Sequence, residues 1–338
     1  MDTKNIRLSV LDQSPIRKGA TAEQAIQETV ALAKYTDKLG YTRFWVSEHH
    51  NTSSLAGSTP EVLMAHLAGQ TKNIRIGSGG VMMPNHSALK VAENFRMLEA
   101  LFPGRIDLGM GRAPGTDRIT ASMLNPSNQF REQDFIEQLY ELNNYFHDRG
   151  EPGTPQLKIR AIPQIQTVPE MWLLSSSGQS GLFAAHFGMG LAFAHFINPF
   201  GGPEAVALYR ERFKPSEDMP KEQANLAIFV FCSEDEEKIR QHQALMDYRF
   251  NQFEKGGGLT PVGYQDIKDT VYSPAEMDRI RYNRSRVVTG TPTEMKLKLK
   301  WLAEDYKVDE IIAVTITEDF EDRLNSYRLL AEICDIGK

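Results

Sequence analysis

The sequence predicts a single (β/α)8 TIM barrel domain over residues 1–338. Three observations carry that expectation: eight strand-length apolar runs, helical patterns between them, and no G-x-G-x-x-G turn ahead of the first helix. The first four runs are IRLSVLD from Ile6, RFWVS from Arg43, IRIGSGGVMM from Ile74 and RIDLGMG from Arg105. MWLLSS from Met171, GLAFAHF from Gly190, NLAIFVF from Asn225 and EIIAVTIT from Glu310 follow. Near-continuous apolar character suits parallel strands covered on both faces. An open doubly wound sheet is the alternative, and the missing glycine-rich turn weakens it.

The intervening segments carry helix punctuation. Thr21 and Gln24 have capping-box spacing and Gly40 supplies a stop. Ser58-Thr59-Pro60-Glu61 reads as a cap followed by proline at the first helical position. Phe320, Leu324, Tyr327, Ala331 and Cys334 make one apolar stripe on the last helix. Two insertions break the rhythm. About 150–169, before the fifth strand, is rich in Pro, Gly and Gln and reads as an excursion or small hairpin. About 246–286, from Met246 to Arg286 before the eighth strand, contains Gly256-Gly257-Gly258 and is either a lid or surface elaboration.

Composition narrows the functional classes. Lys plus Arg total 38 against 44 for Asp plus Glu, a net charge of −6 that argues against a nucleic-acid binder. The two cysteines, Cys232 and Cys334, sit in apolar patterns and read as core residues. No signal-peptide pattern opens the chain, and no window approaches the roughly 20 apolar residues that span a bilayer. A cytoplasmic protein without membrane partners is expected.

In such a barrel the chemistry gathers at the C-terminal strand ends. Those ends read Asp12-Gln13-Ser14, Glu48-His49-His50-Asn51, Ser78-Gly79-Gly80, Met110-Gly111-Arg112, Ser175-Ser176-Ser177-Gly178 and Ala194-His195, then the Val287 to Thr293 stretch. His49 is a candidate general base, or else a hydrogen-bonded histidine on the rim. Glu48 can orient a histidine or accept backbone donors. Neighbours in an extended chain point to opposite sides, so His49 and His50 are not expected to face one ligand, and no metal site is indicated. Gly79-Gly80 marks either a bulge or the close approach of a flat ligand. SSSGQS opens a helix, where free N–H groups favour an anion, with Ser177, Ser180 and Arg112 as further donors. Ordinary capping and a surface ion pair are the plainer reading. Taken together, these features describe a planar ring with a phosphate tail, as in a mononucleotide cofactor.

WVSEHHN, IRIGSGGVMMP, FPGRIDLGMGRAPG, SSSGQSGLFAAHFG and VTGTPTE, in this order, resemble the bacterial-luciferase-like flavin-dependent monooxygenases. LDQSPI is similar to a luciferase-like oxidoreductase subgroup, and the likeness spans nearly the whole chain. The resemblance implies an FMN-dependent barrel, commonly a homodimer, in which reduced flavin activates O2 to oxygenate a small organic substrate. NAD(P)H would act directly or through a separate flavin reductase. The resemblance makes His49 the active-site histidine, with Glu48 beside it. It places a non-prolyl cis peptide at Gly79-Gly80 and the flavin phosphate near Arg112, Ser177 and Ser180. Met110, Ser176 and His195 complete the implied cofactor pocket. Three departures stand out: Gly111 for a reactive cysteine, Ser176 for a glutamate, and His195 for a tryptophan. They put light emission and long-chain aldehyde specificity in question. The alternatives are F420-dependent hydride transfer and flavin binding without turnover.

Overall fold

Alternating inward and outward residues on parallel strands decide what this chain builds, and the computed structural model shows a closed barrel. It describes residues 3–127, 129, 131–150, 152–154, 157–256 and 260–337. Eight strands form the barrel: β1 (Arg7–Asp12), β2 (Arg43–Val46), β3 (Arg75–Met82), β4 (Ile106–Gly111), β5 (Glu170–Ser175), β6 (Gly190–Ala194), β7 (Ala224–Cys232) and β9 (Glu310–Val314). All neighbours are parallel, and the β6–β7, β7–β9 and β9–β1 pairings close the ring. These are the eight apolar runs of the sequence.

A ninth strand, β8 (Val287–Gly290), departs from expectation, because the Val287 to Thr293 stretch reads as rim loop in the sequence. It pairs with Phe229–Cys232, the half of β7 that lies beyond its pairing with β6. The large insertion also begins later than the sequence suggests. Helix α8 (Glu236–Glu254) continues past Met246, because Leu245, Met246 and Phe250 keep one face buried. Two short helices follow, α9 (Tyr264–Ile267) and α10 (Pro274–Arg284). Gly257 and Gly258 lie outside the described residues. Between 150 and 169 the described residues hold turns and no paired strand, so the hairpin alternative is not seen.

The helices take the places their caps indicate. Helix α1 (Ala22–Lys38) starts on a complete Thr21–Gln24 capping box, and α2 (Pro60–Gln70) starts on Pro60. Next come α3 (Ala88–Leu101), α4 (Arg118–Leu124), α5 (Glu132–Phe146), α6 (Gly178–Phe187) and α7 (Gly202–Arg212). The last are α11 (Pro292–Tyr306) and α12 (Phe320–Cys334). In α12 the stripe residues Tyr327, Ala331 and Cys334 are buried. Cys232 and Cys334 are free thiols in the same core. No helix among the described residues is long and apolar enough to cross a membrane.

The barrel interior is layered. At its N-terminal end Arg43 is buried against Asp107 (2.9 Å), Glu170 (2.8 Å) and Glu310 (3.0 Å). Trp45 and Trp172 meet edge to face above them, with centroids 5.7 Å apart, and Trp45 Nε1 donates to Asp107 (2.9 Å). That aromatic layer closes the bottom of the barrel and leaves the C-terminal end open to form a cavity.

Candidate active site

Strand parity selects the residues of the site. Along β2, Arg43 and Trp45 point inward, and the same alternation carries Ser47 and His49 to the wall of a cavity of about 690 Å³. Phe44 and Val46 point outward into the helix-facing core. The volume lies within the usual range for small-molecule sites. Its floor and sides are largely apolar, with Leu11, Trp45, Leu174 and Phe229 among them.

His49 shares a hydrogen bond between its Nδ1 and Ser47 Oγ (3.0 Å). Burial lowers its pKa, against the opposing pull of Glu48, so the ring is neutral at neutral pH. His50 also borders the cavity, contrary to the expectation that only one of the pair faces inward. The reason is local: β2 ends at Val46, and the chain turns through Asn51 at φ 50°.

Glu48 is fully buried behind the cavity and does not border it. Its oxygens accept from Met82 N (2.8 Å) and Asn85 Nδ2 (3.0 Å), and both His50 Nε2 and His86 Nε2 lie at 2.9 Å. Burial alone would raise its pKa, but the bonds from His86, Asn85 and His50 bring it below the ordinary carboxyl value. Glu48 therefore orients histidines, as the sequence allows, but they are His50 and His86 and not His49.

On β3 the Gly79–Gly80 peptide is cis, and the register with β4 shifts between Gly79 and Val81. Gly79 borders the cavity and Gly80 does not. A Cβ on Gly79 would lie 2.7 Å from Leu11 Cδ1, and one on Gly80 would lie 2.7 Å from Gly109 O. Neighbouring strands thus account for both glycines, so the bulge reading applies before any ligand is invoked.

Arg112 follows β4 and borders the cavity. It donates to Gln179 Oε1 (2.7 Å) and lies 3.4 Å from Glu132 Oε2. Ser176, Ser177 and Ser180 border the cavity beside it, at the start of α6. Ser177 is the N-cap residue, yet its hydroxyl makes no capping bond. The first N–H groups of α6 and this hydroxyl are therefore available to an anion. Asn198 fixes the turn by donating to Ser176 O (3.0 Å).

Two expected pocket residues lie elsewhere. Met110 alternates with Gly111: the glycine borders the cavity, while the Met110 side chain is buried in the helix-facing core. His195 is buried outside the wall, held between Tyr306 OH (2.8 Å) and Ser285 O (2.9 Å), because β6 has ended and its inward positions are Ala192 and Ala194. Sequence reasoning missed His50, Gln179, Arg249 and Arg286. The last two come from α8 and the segment before β8, where nothing in the local pattern signals an inward turn.

A closed parallel barrel with a cavity at the C-terminal end of its strands places the chain among the TIM-barrel proteins. The luciferase-like monooxygenase family matches residues 6–307, and the chain belongs to that family. It is 49% identical to the uncharacterised protein YwcH of Bacillus subtilis (strain 168), over 97% of this chain and 98% of that protein. It is 36% identical to the N-acetyl-S-alkylcysteine monooxygenase of the same organism, over 97% and 98% of the two chains. The crystal structure of apo-MsnO8 superposes with a TM-score of 0.89 at 34% identity, covering 98% of this chain and 99% of that one.

Proposed function

We propose that this protein is an FMN-dependent monooxygenase that uses reduced flavin and O2 to oxygenate a small organic substrate. The observation that carries the reading is one cavity bordered by a neutral histidine and by an anion cradle of Arg112 and the uncapped start of α6. The residues fit FMN. Ser176, Ser177, Ser180 and Arg112 would hold its phosphate, and Gly79, Trp45 and Leu174 offer apolar wall to its ring. When bound, reduced FMN supplies the electrons that activate O2.

The chain's own residues supply the rest. Apolar walls exclude water from the reacting centre. His49, kept neutral by burial and oriented through Ser47, is the proton acceptor, so turnover falls as the medium is acidified through its lowered pKa. Glu48 is a positioning residue that acts through His50. The reading includes a homodimer, NAD(P)H used directly or through a separate flavin reductase, and a cytoplasmic location; the family resemblance supports the first two. Exposed Val62, Met97 and Leu101 on the adjacent helices α2 and α3 offer apolar surface for a second copy.

The test is titration of the purified protein with FMN, reduced FMN and F420, with and without O2. Binding of reduced FMN and a roughly tenfold loss of affinity in Arg112→Ala are expected, as a phosphate loses its charge-assisted partner. Preferential tight binding of F420 overturns the oxygenase reading, and unchanged FMN affinity in Arg112→Ala removes the phosphate site. Full turnover by His49→Ala removes His49 from its proton role.

A further inference from the structure

Besides Arg112, two further arginines border the same cavity, Arg249 and Arg286, and the flavin reading uses neither. Arg249, on α8, lies on the wall shared by the main cavity and an adjoining pocket of about 180 Å³. The walls it shares carry apolar Leu55, Met246, Phe250 and Ile316 together with the uncharged polar Ser54, Gln252 and Thr260, and no carboxylate among the described residues. Among the described residues it makes no ion pair, and its one hydrogen-bond contact is Met246 Sδ at 3.9 Å.

The other inward or half-buried arginines are all matched. Arg43 and Arg323 have carboxylates, Arg96 has backbone carbonyls, and Arg284 has Asp247. Arg286, which also borders the cavity, donates to Phe196 O (2.8 Å) and stacks over Phe250. Glu318, the carboxylate whose charge Arg249 feels, accepts instead from Tyr264 N (2.8 Å). Burial lowers the pKa of Arg249 to about 10, so it still carries its charge at neutral pH. A charge set in a largely apolar wall without a directly paired counter-ion is costly unless a ligand completes the pair.

We propose that Arg249 is the recognition site for the carboxylate of an otherwise apolar substrate, whose body lies along Phe196, Phe229, Phe250 and Phe253. A single guanidinium fork matches a carboxylate in bidentate fashion. Arg249 has no helix N-terminus or serine cluster beside it, and these are the features that mark the phosphate cradle at α6. The two cationic groups also belong to different sectors: Arg112 follows β4, whereas Arg249 follows β7, three strands round the ring. The assignment rests on the oxygenase reading of the cavity, and it names the class of substrate that enters it.

The test uses the full-length protein and calorimetric titration with octanoate and phenylacetate, with their neutral amides, and with inorganic phosphate. Both acids should bind about tenfold or more tightly than their amides, the scale of a charge-assisted pair. Arg249→Met should abolish that preference, and Arg249→Lys, which keeps the charge, should restore part of it. FMN affinity should be unchanged in both variants. Equal binding of acids and amides, no binding of either acid, or an undiminished preference in Arg249→Met overturns the proposal. Phosphate that binds in competition with the acids, and is lost in Arg249→Met, overturns the carboxylate assignment too. If the acids discriminate as expected while FMN fails to bind the unmodified protein, the carboxylate site stands and the flavin reading falls. If FMN binds and the acids do not discriminate, the reverse holds.

Discussion

His242 lies flat on Phe231, with ring centroids 4.4 Å apart and an interplanar angle of 14°. Its Nε2 donates to Ile316 O (3.1 Å), and burial presses its pKa down to about 3. The unfolded chain holds the same ring near 6.5, so below that pH the unfolded state binds the extra proton and the fold loses stability as pH falls. Between the two values the loss should run at about 1 kcal/mol per pH unit. His242→Phe keeps the stack and removes the proton, so urea denaturation at pH 7 and pH 4 should show a smaller acid loss than in the unmodified protein. Equal losses would assign the acid sensitivity to other groups. At this scale the sequence was legible for position at His49 and the serine turn, both of which border the cavity as strand-end residues. It misled at Met110, where strand parity outweighs proximity to Arg112. Arg249 gave no signal because an arginine on an amphipathic helix looks the same whether it faces solvent or a cavity.

Strands β3 and β4 leave no room for a Cβ at Gly77 and Gly109. A Cβ on Gly109 would lie 2.1 Å from Ser78 O, and one on Gly77 would lie 2.6 Å from Asp107 Cβ on β4. Gly109→Ala should therefore destabilise by roughly 3 kcal/mol, because backbone and not a flexible side chain must move. Gly69 in α2 is the control: its Cβ would meet nothing nearer than Phe102 at 3.9 Å, and Gly69→Ala should gain about 0.5–1 kcal/mol from helix propensity. Thermal melts of the two variants should move in opposite directions, and parallel shifts would refute the close-approach account. Element types were readable from caps and apolar runs. β8 was not, because Val287, Val288 and Thr289 are only half-buried and show no apolar pattern of their own.

For the molecule as a whole, one cluster ties the ring together from inside. Arg43 bridges carboxylates from β4, β5 and β9, and Ser9 on β1 donates to Glu310 Oε1 (2.6 Å). Arg43→Met should cost about 3–5 kcal/mol, because buried Asp107 and Glu310 lose their buried partner and keep only the more exposed Arg75 and Arg7. A denaturation midpoint unmoved by the change would show that Arg75, 2.6 Å from Asp107, and Arg7, 3.4 Å from Glu310, suffice. The closed barrel was legible because every strand repeats the same signal, whereas the cavity wall joins residues distant in sequence that share no pattern. The short pairing of β8 with β7 has a consequence for insertions and deletions. The chain departs from the end of β7 into α8 and comes back alongside that same strand, so both attachment points of the intervening segment are fixed by one neighbour. With both anchors on one strand, a change of length within this segment leaves the pairing of the other seven barrel strands untouched.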